Sequence, residues 1–150
     1  MREINRNIVS GVIVSKDNKI LMGRGRDGSV YNDCWLIPGG GVDEGETKLQ
    51  TLVREIKEEA GLDVSEYEPE LVEDAATGES EKTLRDTGER VLVHMQFFTY
   101  RIIIPKLAEN IKTQAGDDLI ELSWVPIDSL NVYKISPPSE KLFKKLGYIK

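Results

Sequence analysis

Glu55, Glu58 and Glu59 stand at i, i+3 and i+4. On a helix that spacing gathers three carboxylates on one side, close enough to touch. Like charges so placed repel one another and lower helix stability. A hard divalent cation, which takes oxygen ligands, reverses that balance. The competing reading of a bare Glu-x-x-Glu-Glu is a solvated acidic face on an amphipathic helix.

The neighbouring residues specify the helix that must carry these acids. Thr47 and Gln50 have capping-box spacing, so a helix is predicted over 48–60 with Thr47 as its N-cap. Gly61 takes the left-handed position after it, and Leu62 supplies the hydrophobic contact that follows. At about 100° per residue, Leu49, Leu52, Val53, Ile56 and Ala60 fall within one arc of roughly 100°. The three glutamates occupy another arc, centred roughly 130° away. One face therefore packs into a core while a neighbouring face presents acid. Ahead of the helix, Pro38 is followed by Gly39, Gly40 and Gly41, a run that lets the main chain approach a ligand closely.

From Gly40 to Leu62 the chain matches, position for position, the pattern Gly-x5-Glu-x7-Arg-Glu-U-x-Glu-Glu-x-Gly-U, where U is aliphatic. With average residue frequencies, a chance match is on the order of 10⁻¹⁰ per starting position. This is the signature of the Nudix hydrolases, and the chain resembles that family. The preceding Trp35-Leu-Ile-Pro38-Gly39-Gly40 looks like the family's lead-in.

The resemblance implies an α/β fold of the Nudix type. This is an α/β/α sandwich with a mixed, curved β-sheet, the helix of the motif on one side and a C-terminal helix on the other. It also implies a metal-dependent pyrophosphohydrolase that cleaves a nucleoside diphosphate linked to another moiety. The leading expectation is a nucleoside or deoxynucleoside triphosphate cut to monophosphate and pyrophosphate. The runner-up is an ADP-ribose or nucleotide-sugar pyrophosphatase. A nucleotide-binding module without catalysis is a third reading, but it would be expected to lose a motif glutamate, and none is lost. A calcium-binding protein is disfavoured, since no Asp-x-Asp-x-Asp-Gly loop is present.

The implied cofactor is Mg²⁺, with Mn²⁺ as a substitute that also suits carboxylates. Its expected ligands are Glu55, Glu58, Glu59 and the Gly39 carbonyl. A later acid is expected to reach back to the metal: Asp118 first, Glu121 next, against the alternative of solvated acids at a strand start. Metal-assisted hydrolysis suits a cluster with no nucleophilic Ser or Cys motif. The catalytic set is Glu55, Glu58, Arg54 and Glu46. Glu55 is either a ligand or the general base, a role whose location varies in the family. Arg54 is an organiser whose planar fork suits a bidentate grip on a carboxylate, with Glu46 as the chosen partner.

At 150 residues, a single domain over 1–150 is expected, long enough for one core. Hydrophobic content of 39% and charged content of 31% are ordinary for a globular chain. A net charge of −6 argues against a stable nucleic-acid partner or an anionic membrane surface. A small nucleotide substrate stays allowed, because metal ions invert local charge. Cys34 is the only cysteine, so no disulfide forms within the chain, which fits a reducing compartment. The N-terminus lacks a signal-type apolar region, and no aliphatic run exceeds the three residues of Ile102–Ile104, too short to span a bilayer. Cytoplasmic is the expected localisation. A homodimer is an open option, since dimers are common among relatives.

In chain order, strands are expected over 8–14, from Ile20, over 69–77, 91–104 and 118–125. The segment 78–90 is charged and turn-rich and reads as an exposed hairpin loop. Residues 105–117 read as a loop long enough to bind or cover a ligand. Gly23-Arg-Gly25-Arg-Asp-Gly28 matches G-x-G-x-x-G, but no helical pattern follows it, so the dinucleotide reading fails. Arg24 and Arg26 on that segment are candidates to reach substrate phosphates or a base, against two solvated arginines. Trp35 reads as core packing before stacking platform. His94, the only histidine, supports no zinc site and reads as structural. Ser136-Pro137 has the signature of a helix start, and Leu142, Phe143 and Leu146 give that helix an apolar face ending at Gly147.

Overall fold

Two long strands form the spine of the fold. In the computed structural model, which describes residues 1–25, 31 and 33–150, β1 (Arg2–Ser15) lies parallel to a strand at Arg90–Ile104. Their register runs from Arg2 opposite Val91 to Ser15 opposite Ile104. Both strands are rich in β-branched residues, which suit a pleated surface packed on its faces.

Around this pair come β2 (Lys19–Gly25), β3 (Trp35–Leu36), β4 (Gly39–Gly41), β5 (Glu70–Glu73), β6 (Thr77–Thr83), β7 (the Arg90–Ile104 strand) and β8 (Leu119–Pro126). Strand order is β3-β2-β1-β7-β5, with β4 also on β1, β6 on β7 and β8 on β2. Every pairing apart from β1–β7 is antiparallel among the named strands. The sheet is therefore mixed, as expected.

Alternation along β1 and β2 splits the core into two layers. Val9, Ile13 and Leu21 pack with Leu52, Ile56 and Ala60 of α1 (Lys48–Ala60). Val12, Val14, Ile20 and Met22 pack with Leu142 and Phe143 of α2 (Pro137–Lys145). Successive side chains of a strand point to opposite faces, so the two helices lie on opposite sides of the sheet. That is the expected α/β/α sandwich. No helix among the described residues is long and apolar enough to cross a membrane.

Helix α1 has the expected bounds. Thr47 accepts the Gln50 N–H, the Gln50 side chain accepts the Thr47 N–H, and Gly61 closes the helix at φ 65°. Leu49 differs from expectation: it is 47% exposed.

Other departures lie at the periphery. β1 begins at Arg2, six residues before the expected start at Ile8, because β7 offers its backbone along that whole length. The expected strand over 69–77 is only Glu70–Glu73, and its register shifts between Leu71 and Glu73. The expected loop over 78–90 contains most of β6, which pairs with β7 from Thr77 opposite Gln96 to Thr83 opposite Arg90. Most β6 side chains are exposed, so backbone hydrogen bonds hold it and no apolar alternation marks it. Residues 105–117 stay irregular apart from a 3₁₀ turn at Ala108–Asn110.

Candidate active site

Three segments converge at the acidic face of α1: the glycine run of β4, the helix itself, and the stretch leading into β8. The glycine run is clamped to β1, with Gly39, Gly40 and Gly41 opposite Ser10, Val9 and Ile8. Gly39 N–H donates to Glu59 Oε1 at 2.8 Å. A Cβ at Gly40 would collide with the Glu55 carboxylate. Glycine is thus required there for close approach, and Glu55 fills the space a side chain would take.

The third segment reaches the helix through the carbonyls that every helix leaves unpaired at its C-terminus. Gln114 N–H donates to Ala60 O at 2.8 Å and Gly116 N–H to Glu59 O at 3.1 Å. These bonds bring the next two residues to the acids. Carboxylate oxygens of Glu55, Glu58 and Asp117 lie within 4.8 Å of one another, and so do those of Glu59, Asp117 and Asp118. Asp117 belongs to both groups and has φ 52°, a left-handed conformation that aspartate tolerates better than most residues.

Arg54 ties the helix to the loop before it. Its Nε donates to Glu46 Oε2 at 2.6 Å and its Nη2 to Glu46 Oε1 at 2.9 Å. Nη2 also donates to Gly41 O at 3.2 Å, and Nη1 to Glu55 Oε1 at 2.9 Å. Glu58 stands further off, 3.3 Å from Nη1. The Arg54 fork, followed by the Asp43 N–H and the Thr51 hydroxyl, holds the Glu46 carboxyl down at about 2. Arg54 in turn is raised above its usual value, chiefly by Glu46.

The buried acids behave oppositely. Glu55 is raised by burial, with Arg54 opposing. Glu59, 4% exposed, is pushed up to about 8, first by burial and then by Glu55, Asp118 and Asp117, while the Gly39 N–H opposes. A buried carboxylate crowded by others is costly unless a cation offsets it. An all-oxygen donor set around such an acid fits a hard divalent cation.

The remaining sequence candidates lie elsewhere. Arg24 is on β2, opposite Trp35 on one side and Glu121 on the other. Its guanidinium lies 5.7 Å from the Trp35 ring centroid, and Nη1 is 3.8 Å from Glu121 Oε1. Its Nε is buried with no hydrogen-bond partner among the described residues. Glu121 thus faces Arg24 and belongs to neither acidic group. Trp35 is half-buried and meets Tyr133 edge-on at 6.0 Å. Arg26 lies outside the described residues. His94 bridges Glu3 (2.8 Å) and Glu79 (3.0 Å) on neighbouring strands, which raises its pKa above the ordinary value, chiefly through Glu3. Asp117 is the member that the expected ligand set lacks. The only signal for it is its adjacency to Asp118.

The family model described as NUDIX domain matches residues 5–146. Along nearly its whole length the chain is similar to the nucleoside triphosphatase NudI of Enterobacter sp. (strain 638), 27% identical over 146 residues. That alignment spans 96% of this chain and 98% of that protein. A shorter likeness, 50% identical over 50 residues, joins it to an ADP-ribose pyrophosphatase of Methanocaldococcus jannaschii, spanning 33% of this chain and 29% of that protein. Among solved structures, the M. smegmatis Nudix hydrolase RenU shares the fold at a TM-score of 0.70. The two are 19% identical, with 96% of this chain and 85% of that one covered.

Proposed function

The chain belongs to the Nudix hydrolase family, and from that membership we propose a metal-dependent pyrophosphohydrolase that cuts a nucleoside triphosphate to a monophosphate and pyrophosphate. The observation that carries the metal-dependent reading is the convergence of Glu55, Glu58, Glu59, Asp117 and Asp118 on one side of α1. The likeness to a nucleoside triphosphatase over 96% of the chain favours triphosphates over ADP-ribose, for which the likeness covers 33%.

Glu55, Glu58, Glu59, Asp117 and Asp118 would hold Mg²⁺, with Mn²⁺ as a substitute. The chemistry supplied by the ion is offset of charge on phosphate oxygens and acidification of water near neutral pH. The chain's own residues prepare that seat. Glu55 and Glu59 are pressed against the glycine run, which fixes and buries their carboxylates. A cation facing Glu59, whose carboxyl is held up by burial and by neighbouring acids, would favour loss of its proton and so link metal uptake to proton release. The Glu58 side chain, 42% exposed against 12% for Glu55, reaches towards solvent, from which substrate arrives. Arg54, gripped by Glu46, orients Glu55 and Glu58 within this set.

The test is phosphate release from a panel of nucleoside triphosphates, ADP-ribose and dinucleotide polyphosphates with Mg²⁺, on wild type and Glu58→Gln. Triphosphates turn over fastest, and the variant loses activity by at least about 100-fold. Equal turnover across the panel, or an active variant, defeats the reading.

A further inference from the structure

A groove of about 460 Å³ opens on the sheet, lined by β1 at residues 5–7, β6 at 77–79 and β7 at 94–96. That volume lies within the range of roughly 300–1,000 Å³ typical of small-molecule sites. Register fixes which side chains share its face. Asn5 is opposite His94 and Asn7 opposite Gln96; Thr77 is opposite Gln96 and Glu79 opposite His94. Alternation carries the same face on to Val9 and Phe98, which pack in the layer containing Leu52 and Ile56 of α1. The groove is thus the continuation of the surface that α1 covers.

It is also joined to the acidic cluster. Asn7 O accepts the Val42 N–H at 2.9 Å. Val9, the next residue along this face, is opposite Gly40, the residue that makes room for Glu55.

The chemistry of the groove selects against phosphate. Its charged side chains are Glu79 and His94, with Glu3 on the second ring nitrogen of His94. Two carboxylates on one imidazole leave no excess positive charge. Arg6 turns its guanidinium to Gly41 on the other face. Amides remain. Asn5 and Asn7 make no side-chain hydrogen bond among the described residues. Gln96 spends its Nε2 on Asp74 O at 3.3 Å and keeps its carbonyl oxygen. Each asparagine amide offers donor and acceptor together, the complement of a base edge or a ribose hydroxyl.

Building on the triphosphate reading, we propose that this groove is the nucleoside subsite, with Asn5 and Asn7 hydrogen-bonding the uncharged half of the substrate while the α1 acids serve its phosphates. Both asparagines set affinity and specificity and take no part in bond cleavage.

The test has two arms. Steady-state kinetics on ATP, GTP, CTP and UTP with Mg²⁺ compare wild type, Asn7→Leu and Asn5→Leu/Asn7→Leu. KM rises roughly two- to tenfold per amide removed, with kcat within twofold. In the second arm, AMP, GMP, CMP and UMP are titrated into ¹⁵N-labelled wild type while the side-chain NH₂ signals of Asn5, Asn7 and Gln96 are followed. Saturable shifts at these signals support the subsite. Unchanged KM in the variants with unmoved amide signals overturns it, even with hydrolysis intact. Amide shifts in a wild type that hydrolyses no triphosphate support the groove and refute the proposed activity instead.

Discussion

Arg54 and Glu46 meet fork to fork across the N-cap and about two turns of helix, Nε to Oε2 at 2.6 Å and Nη2 to Oε1 at 2.9 Å. The pair is bidentate, and the guanidinium has donors left for Gly41 O and Glu55. A lysine keeps the charge but has no planar fork. Arg54→Lys therefore lowers kcat/KM by about 10- to 100-fold, the usual cost of a partner that orients metal ligands, and lowers Tm. Wild-type kinetics in the lysine variant would show that geometry at this position is unimportant.

The same pair sets an acid dependence. Glu46 has a folded pKa of about 2, below its ordinary value of 4.5. A depressed carboxyl contributes stability that is present above the unfolded value and lost as pH falls through the folded one. The stability gap between wild type and Glu46→Gln is thus full at pH 6 and narrows below about pH 4.5. Urea unfolding at a series of pH values measures it, and a gap that widens on acidification contradicts the assignment.

Gly40→Ala places a methyl group where the Glu55 carboxylate sits. The helix is anchored by its apolar face, so the carboxylate is the group that moves. Divalent-cation affinity, followed by Mn²⁺ EPR or by calorimetry, falls at least about tenfold, while α1 keeps its circular-dichroism signal. Unaltered affinity would show that Glu55 has room to spare.

Asp117 is shared by both acidic groups. Asp117→Asn keeps its shape and removes its charge, so cation affinity drops by at least about tenfold. Asp118→Asn, which alters one group only, costs less. The reverse ranking in the same titration overturns the shared role.

Legibility in the sequence followed how local each determinant is. Helix α1 was readable to the residue, because Thr47, Gln50 and Gly61 act within a turn of its ends. The position of β6 was not, since its exposed side chains carry no alternation and its pairing with β7 joins residues from 7 (Thr83 and Arg90) to 19 (Thr77 and Gln96) positions apart. Asp117 was hidden for a different reason. It joins the acids only because backbone bonds from residues 114 and 116 grip the end of α1, a long-range event that no spacing records. Glu121 stood second to Asp118 as a reach-back acid, and its register against Arg24 turns it towards that guanidinium instead.

The parallel β1–β7 ladder joins residues such as Ser10 and Thr99, 89 positions apart. Contacts between such distant residues must close a long loop before any of them forms, which raises contact order and slows folding. During synthesis, α1 is complete while the main partner of the N-terminal strand has yet to be translated. The chain therefore cannot assemble its central ladder until residue 104 has left the ribosome, and until then the edge of β1 stays open to pairing with other chains.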